Sequence, residues 1–216
     1  MKYKCLVFDH DDTTVNSTAT IHYPSFVEYV KLRHPEINYS LEDYIRYNFD
    51  PGVIPFFKDI CGFSDEELVE EQNFWFDYAK NHVADAFDGI KEIMEHQKAE
   101  GGLVVVVSHS FASNILKDYK HNNLPEPDMI FGWEEPKEER KPAPVPLLKI
   151  MDKYGLKPEE ILVIDDLKPG YDMAKAACVP FCAAGWCFSV EENDRFMKNN
   201  ADYFCETVKD LKDIVW

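Results

Sequence analysis

Positive charge is scarce in this chain. Lys and Arg number 23 against 40 Asp and Glu, a formal net charge of −17 over 216 residues. Such a field repels a phosphate backbone and an anionic bilayer, which argues against nucleic acid or membrane as partner. A phosphorylated small molecule would need local attraction, from a lysine and a metal ion. Long hydrophobic runs are also missing: nothing approaches the roughly 20 apolar residues of a membrane-spanning helix. The opening Met1-Lys2-Tyr3-Lys4-Cys5 shows no apolar leader and no small-residue cleavage site. Closely paired cysteines are absent. Six are scattered, with Cys178, Cys182 and Cys187 only loosely grouped, so a zinc site or a disulfide framework is not indicated. Reduced thiols in a cytoplasmic protein are expected. There is no internal repeat, low-complexity tract or long linker.

What is present supports a sizeable core: 45% of residues are hydrophobic. Five short, continuous apolar runs read as strands buried on both faces, at residues 3–8, 103–107, 129–131, 161–164 and 180–184. Helical spacing separates the later ones. Ile90, Ile93, Met94 and Gln97 follow Asp88 as N-cap; Phe111, Ile115 and Leu116 mark a second helix. A third runs from Pro146 to Tyr154 with Gly155 as its C-terminal cap, and Met173, Ala174, Ala176 and Ala177 mark a fourth. Alternating strands and helices predict a doubly wound parallel α/β sheet.

Residues 15–86 differ. They lack a buried strand and are rich in helically spaced aromatics, so they read as an all-helical insertion after the first strand. Ser64-Asp65-Glu66-Glu67 is a capping box opening a helix to about His82, and Asp50-Pro51-Gly52 is a turn. Trp75, Phe76 and Tyr78 are expected in the core of the insertion, and the acidic runs 66–71 and 134–139 on solvated faces. The core is then residues 1–14 with 87–216.

Four pieces of chemistry fall at strand ends: Asp9-x-Asp11-x-Thr13; Ser108; Lys141 before a proline; and Asp165-Asp166, followed by Gly170. Ligands of open α/β sheets bind at the carboxyl ends of strands. Convergence there would crowd Asp9, Asp11, Asp12, Asp165 and Asp166 together, which is costly unless the charge is neutralised. Mg²⁺, which takes oxygen ligands, and Lys141 would neutralise it. With a serine hydroxyl to hold phosphate oxygens and a carboxylate as nucleophile, the set suits phosphoryl transfer. Ser108 also stands where a helix N-cap is expected. His10 alternates away from the two acids, towards the insertion.

With its four motifs in order, the chain resembles the haloacid dehalogenase superfamily over essentially its whole length, in the helical-cap branch of phosphoglycolate phosphatase-like and β-phosphoglucomutase-like proteins. The resemblance implies a Rossmann-like core with a helical cap that closes over substrate and sets specificity. It implies a Mg²⁺-dependent phosphatase of small phosphorylated metabolites. Asp9 would be the nucleophile and a metal ligand. Asp11 would be the general acid and base, with its carbonyl on the metal. Ser108 and Lys141 would hold the phosphoryl group, with Thr13 and His109 as further phosphate contacts. Asp166 would bind the metal directly, with Asp165 beside it. The second aspartate separates phosphatases of the superfamily from its dehalogenases. Departures are Asp12 for the usual glycine, Thr14 for leucine, Asn16 for aspartate, His109 for asparagine and Leu167 for serine. Alternatives are a phosphosugar mutase, a phosphonate hydrolase dependent on a cap lysine (Lys31, Lys58 or Lys80), and an idle binding protein on the same fold. Arg46 and Lys58 are candidate substrate contacts of the cap. The oligomeric state is not legible, and a monomer is compatible with the sequence.

Overall fold

The computed structural model describes residues 2–216, in two compact units. One joins the segment ending at Asn16 to Asp85–Trp216; the other is Ser17–Ala84. After strand β1 (Cys5–Phe8) the chain enters the second unit, which holds helices α1 (Tyr23–Arg33), α2 (Leu41–Phe49), the single turn α3 (Val53–Pro55) and α4 (Asp65–Lys80). On its return it forms α5 (Ile90–Ala99), β2 (Leu103–Val107), α6 (Ala112–His121), β3 (Met129–Phe131), α7 (Val145–Tyr154), β4 (Ile161–Asp165), α8 (Lys168–Ala176), β5 (Phe181–Ala184), α9 (Glu191–Asn200), β6 (Tyr203–Cys205) and α10 (Val208–Val215).

The strands form one sheet in the order β3-β2-β1-β4-β5-β6, every pair parallel. β1 is central, with β2 on one side and β4 on the other, so the strand order reverses beside it. Phe8 stands level with Val106 and with Ile164. The register therefore brings the residues that follow β1, β2 and β4 to one edge of the sheet.

Both faces of the sheet are covered. Leu6, Phe8, Val104, Val106, Leu162 and Ile164 pack in one cluster with residues of α5, α6 and α10. The alternate residues Val7, Val105 and Val163 are buried too. A strand sealed on both faces has no polar positions to give, hence the unbroken valine run 104–107. The sheet has one strand more than the sequence indicates. β6 is three residues long, its first two half-buried at the edge, and carries too weak a pattern to read. The helix expected after Asp88 has Gly89, at φ 94°, as its N-cap.

The helical unit is built on rings. Phe26, Tyr29, Tyr44, Phe56, Phe57 and Phe63 form its core, with Phe26 stacked on Phe57 at 5.5 Å. Capping boxes start α2 at Ser40 and α4 at Ser64. Trp75, Phe76 and Tyr78 are only half-buried and lie outside that core; Trp75 Nε1 donates to His22 Nδ1 at 2.8 Å. Arg46 pairs with Glu42 and Asp43, and Lys58 with Asp65. No helix among the described residues is long and apolar enough to cross a membrane.

Glu71 departs from the expected solvated face. It is buried, and burial pushes its carboxyl from 4.5 up to about 8, against a smaller opposing pull from His22. The folded chain thus holds this proton more tightly than the unfolded chain. Below pH ~4.5 both states are protonated and Glu71 costs nothing; from there to about pH 8 its contribution falls as pH rises. Glu71→Gln should therefore gain stability over the native chain as pH rises across that window, by about 1.4 kcal/mol for each tenfold difference in proton affinity. Urea unfolding of both proteins at pH 5 and pH 8 checks this; a gap independent of pH contradicts it.

Candidate active site

The loop leaving β1 is tied down by its own backbone. Asp9 N–H extends the ladder to Ile164 O at 2.8 Å. Thr14 and Val15 both donate to His10 O, Asp12 N–H donates to Val15 O, and Thr14 Oγ1 donates to Asp9 O at 2.7 Å. Closing so tight a loop takes a left-handed residue, and Asp12 supplies it at φ 57°. Aspartate is among the side chains that tolerate this conformation, so the missing glycine is accommodated.

Asp9 faces a buried ammonium. Lys141 Nζ lies 2.9 Å from Asp9 Oδ1 and 2.7 Å from Asp165 Oδ2. Burial opposes the charge on Lys141, but Asp165 and Asp9 outweigh it and push its pKa up. The same burial pushes Asp9 up to about 7; Lys141 pulls it back, while Asp165 and Asp11 add to the rise. Asp166 accepts from Thr13 Oγ1 at 3.1 Å and is raised well above the usual carboxylate range by burial, Asp165, Asp12 and Asp9. Asp165 also accepts from Leu167 N–H at 2.8 Å. Gly170 makes room for it: a Cβ there would collide with the Asp165 carboxyl group.

Asp11 faces the other way. Its Oδ2 accepts from Ser110 Oγ at 2.6 Å and lies 3.4 Å from Ser108 Oγ. Ser108 Oγ in turn accepts from Ser110 N–H. Ser108 is not the helix N-cap; Phe111 holds that position for α6. Ser110 is a partner of Asp11 that the sequence reading missed, and no motif marks it. His109 Nε2 is bonded to Lys141 O at 3.0 Å, with its ring edge-on to Trp133. Burial lowers its pKa to about 4, helped by Lys141, so it is neutral near pH 7. His10 does not turn towards the helical insertion. It is buried within the α/β unit, its Nε2 3.1 Å from Asp118 Oδ2 of α6.

The donor set fits a hard divalent cation. Asp9, Asp165 and Asp166 each bring a carboxylate oxygen within 4.8 Å of the others. The Lys141 ammonium is the one group that offsets charge on the buried Asp9 Oδ1 among the described residues. One ammonium among three acids, two of them buried and Asp166 half-buried, leaves an excess of negative charge. An all-oxygen site with that excess suits Mg²⁺ in type and charge.

Residues 6–184 match the haloacid dehalogenase-like hydrolase family. The chain belongs to this family. Among similar proteins is pyrophosphatase PpaX of Halalkalibacterium halodurans, 25% identical over 100% of this chain and 98% of its own length. The phosphoglycolate phosphatase of Mannheimia succiniciproducens is 27% identical over 70% of this chain and 68% of its own. A solved structure from Bacteroides fragilis, assigned to the haloacid dehalogenase-like hydrolases, superposes with TM-score 0.82 over 97% of this chain and 100% of its own, at 24% identity. The last match speaks for the fold; the first two make this chain a hydrolase related to phosphatases.

The fit of Gly170 against Asp165 is testable. Gly170→Ala should cost about 1–3 kcal/mol by overpacking, read as a lower melting temperature. An unchanged melting temperature would show that the first turn of α8 yields without cost.

Proposed function

We propose that the chain is a Mg²⁺-dependent phosphatase of small phosphorylated metabolites that works through a phosphoaspartyl group on Asp9. The carrying observation is the opposite setting of two carboxylates one residue apart: Asp9 against Lys141, Asp11 against the Ser108 and Ser110 hydroxyls. Asp9 attacks phosphorus, and its Oδ–P bond forms as the ester P–O bond breaks. Asp11 gives its proton to the departing alcohol oxygen, then takes one from the water that hydrolyses the phosphoaspartate. Ser108 holds a phosphoryl oxygen, with Thr13 and His109 as lesser contacts. Lys141 offsets charge on Asp9 and the phosphoryl group. Asp9, Asp166, Asp165 and the Asp11 carbonyl would hold Mg²⁺, which when bound supplies charge stabilisation for the transferring group.

The division of labour expected from the sequence belongs to this proposal: residues 1–14 and 87–216 as the catalytic core, 15–86 as the cap that selects the leaving group. So does a cytoplasmic setting, in keeping with six free cysteines. The named relatives make pyrophosphate and phosphoglycolate the first substrates to try.

Phosphate release from a panel of these and other phosphorylated metabolites, with Mg²⁺ and with chelator, is the test. Turnover should require Mg²⁺ and fall by several orders of magnitude (up to ~10⁶, the scale seen when a nucleophile is removed) in Asp9→Asn. A folded, Mg²⁺-saturated protein that releases phosphate from nothing on the panel would overturn the reading.

A further inference from the structure

His10 lies between the two acids of the loop and takes no part in the steps above. Its ring is 1% exposed, and Asp118 on α6 is also buried. Nε2 stands 3.1 Å from Asp118 Oδ2, and since a carboxylate accepts, the proton is assigned to Nε2. Tyr119 stacks on the imidazole at 6.0 Å. Around the pair, His10 Nδ1 and Asn114 Nδ2 are buried without hydrogen-bond partners.

Such an arrangement is a weak source of stability. Burying an imidazole and a carboxylate costs desolvation that an apolar pair of similar size avoids. The unsatisfied atoms beside them add to that cost. What the pair does secure is direction. α6 begins directly after Ser108 and Ser110, whose hydroxyls meet Asp11. One continuous segment, residues 108–118, therefore grips two successive residues of the loop. Ser110 holds Asp11, and Asp118 holds His10.

We propose that His10 and Asp118 are a positioning pair. Their hydrogen bond registers the β1 loop against α6, so that Asp9 and Asp11 keep their separation while the phosphoryl group is transferred. The proposal rests on the phosphatase reading for its kinetic readout but not for its binding readout.

The test uses full-length His10→Phe, His10→Gln and the double variant His10→Leu/Asp118→Leu. Phenylalanine keeps a ring and loses the donor, whereas the glutamine amide can offer an N–H near the Nε2 position. Melting temperature reports folding; kcat and KM are measured at saturating Mg²⁺ on the best panel substrate. Affinity for Mg²⁺ with orthophosphate is read by titration calorimetry. His10→Phe should stay folded and lose about tenfold or more in kcat, the scale of a small misplacement of reacting groups, with little change in KM. His10→Gln should recover most of that loss. The double variant should melt at or above the native temperature yet remain slow. Mg²⁺–phosphate affinity should follow the same order, native and His10→Gln above His10→Phe. A folded His10→Phe or double variant with native kcat and native affinity overturns the proposal. So does a loss that tracks the melting temperature and is not recovered by His10→Gln. If the native protein turns nothing over while the binding order holds, the phosphatase reading fails and the positioning pair stands; if the binding order also fails, both fall.

Discussion

The site depends on one buried ammonium. Lys141 is the only cation that reaches Asp9 and Asp165 among the described residues, and it is enclosed with them. Remove it, and acids packed within a few ångströms of each other have only water, a proton or a metal ion to turn to. Their raised proton affinities express that shortage. Much of the nearby architecture sustains the crowding. The parallel register brings β1 and β4 level, the missing Cβ at Gly170 leaves room for the Asp165 carboxyl, and Thr13 donates to Asp166. A bound divalent cation would complete a charge balance that the protein leaves short.

The second constraint is the single residue between Asp9 and Asp11. In an extended chain a one-residue spacer would leave both acids on one face and turn His10 to the other; the bend at His10 and the tight turn after it give the two acids different partners. Asp9 is thereby committed to a carboxylate and ammonium environment, and Asp11 to hydroxyls. Two identical side chains thus meet different surroundings, the condition under which their proton affinities part. His10, between them, is turned towards α6, and its burial makes the arrangement hard to undo.

Most of the core was legible because its signals are redundant. The apolar runs, the helical spacing between them and the acids at the strand ends all point to one fold. What escaped was of two kinds. β6 is short and partly exposed, so neither its length nor its hydrophobicity stands out. Ser110, Asp118 and Glu71 are polar residues whose importance lies in partners or burial far along the chain, and no local pattern records that. Glu71 misled for the same reason. A run of acids on a helix reads as solvated, and only the packing in three dimensions decides which member is buried. His10 was rightly taken to alternate away from the acids, but the sequence does not say which neighbour receives it.

The chain leaves the α/β unit and re-enters it at one place. Asn16 N–H donates to Asp85 O at 2.9 Å, and Val15 bridges Ala86 in antiparallel fashion. Sixty-odd residues of helix are thus spliced into a loop whose two ends already touch, as though nothing intervened. A segment attached in this way leaves the two ends of its host loop joined to each other. It can be lengthened, shortened or exchanged while the sheet and its acids stay as they are. Two compact units thus share one chain through a single point of exit and return.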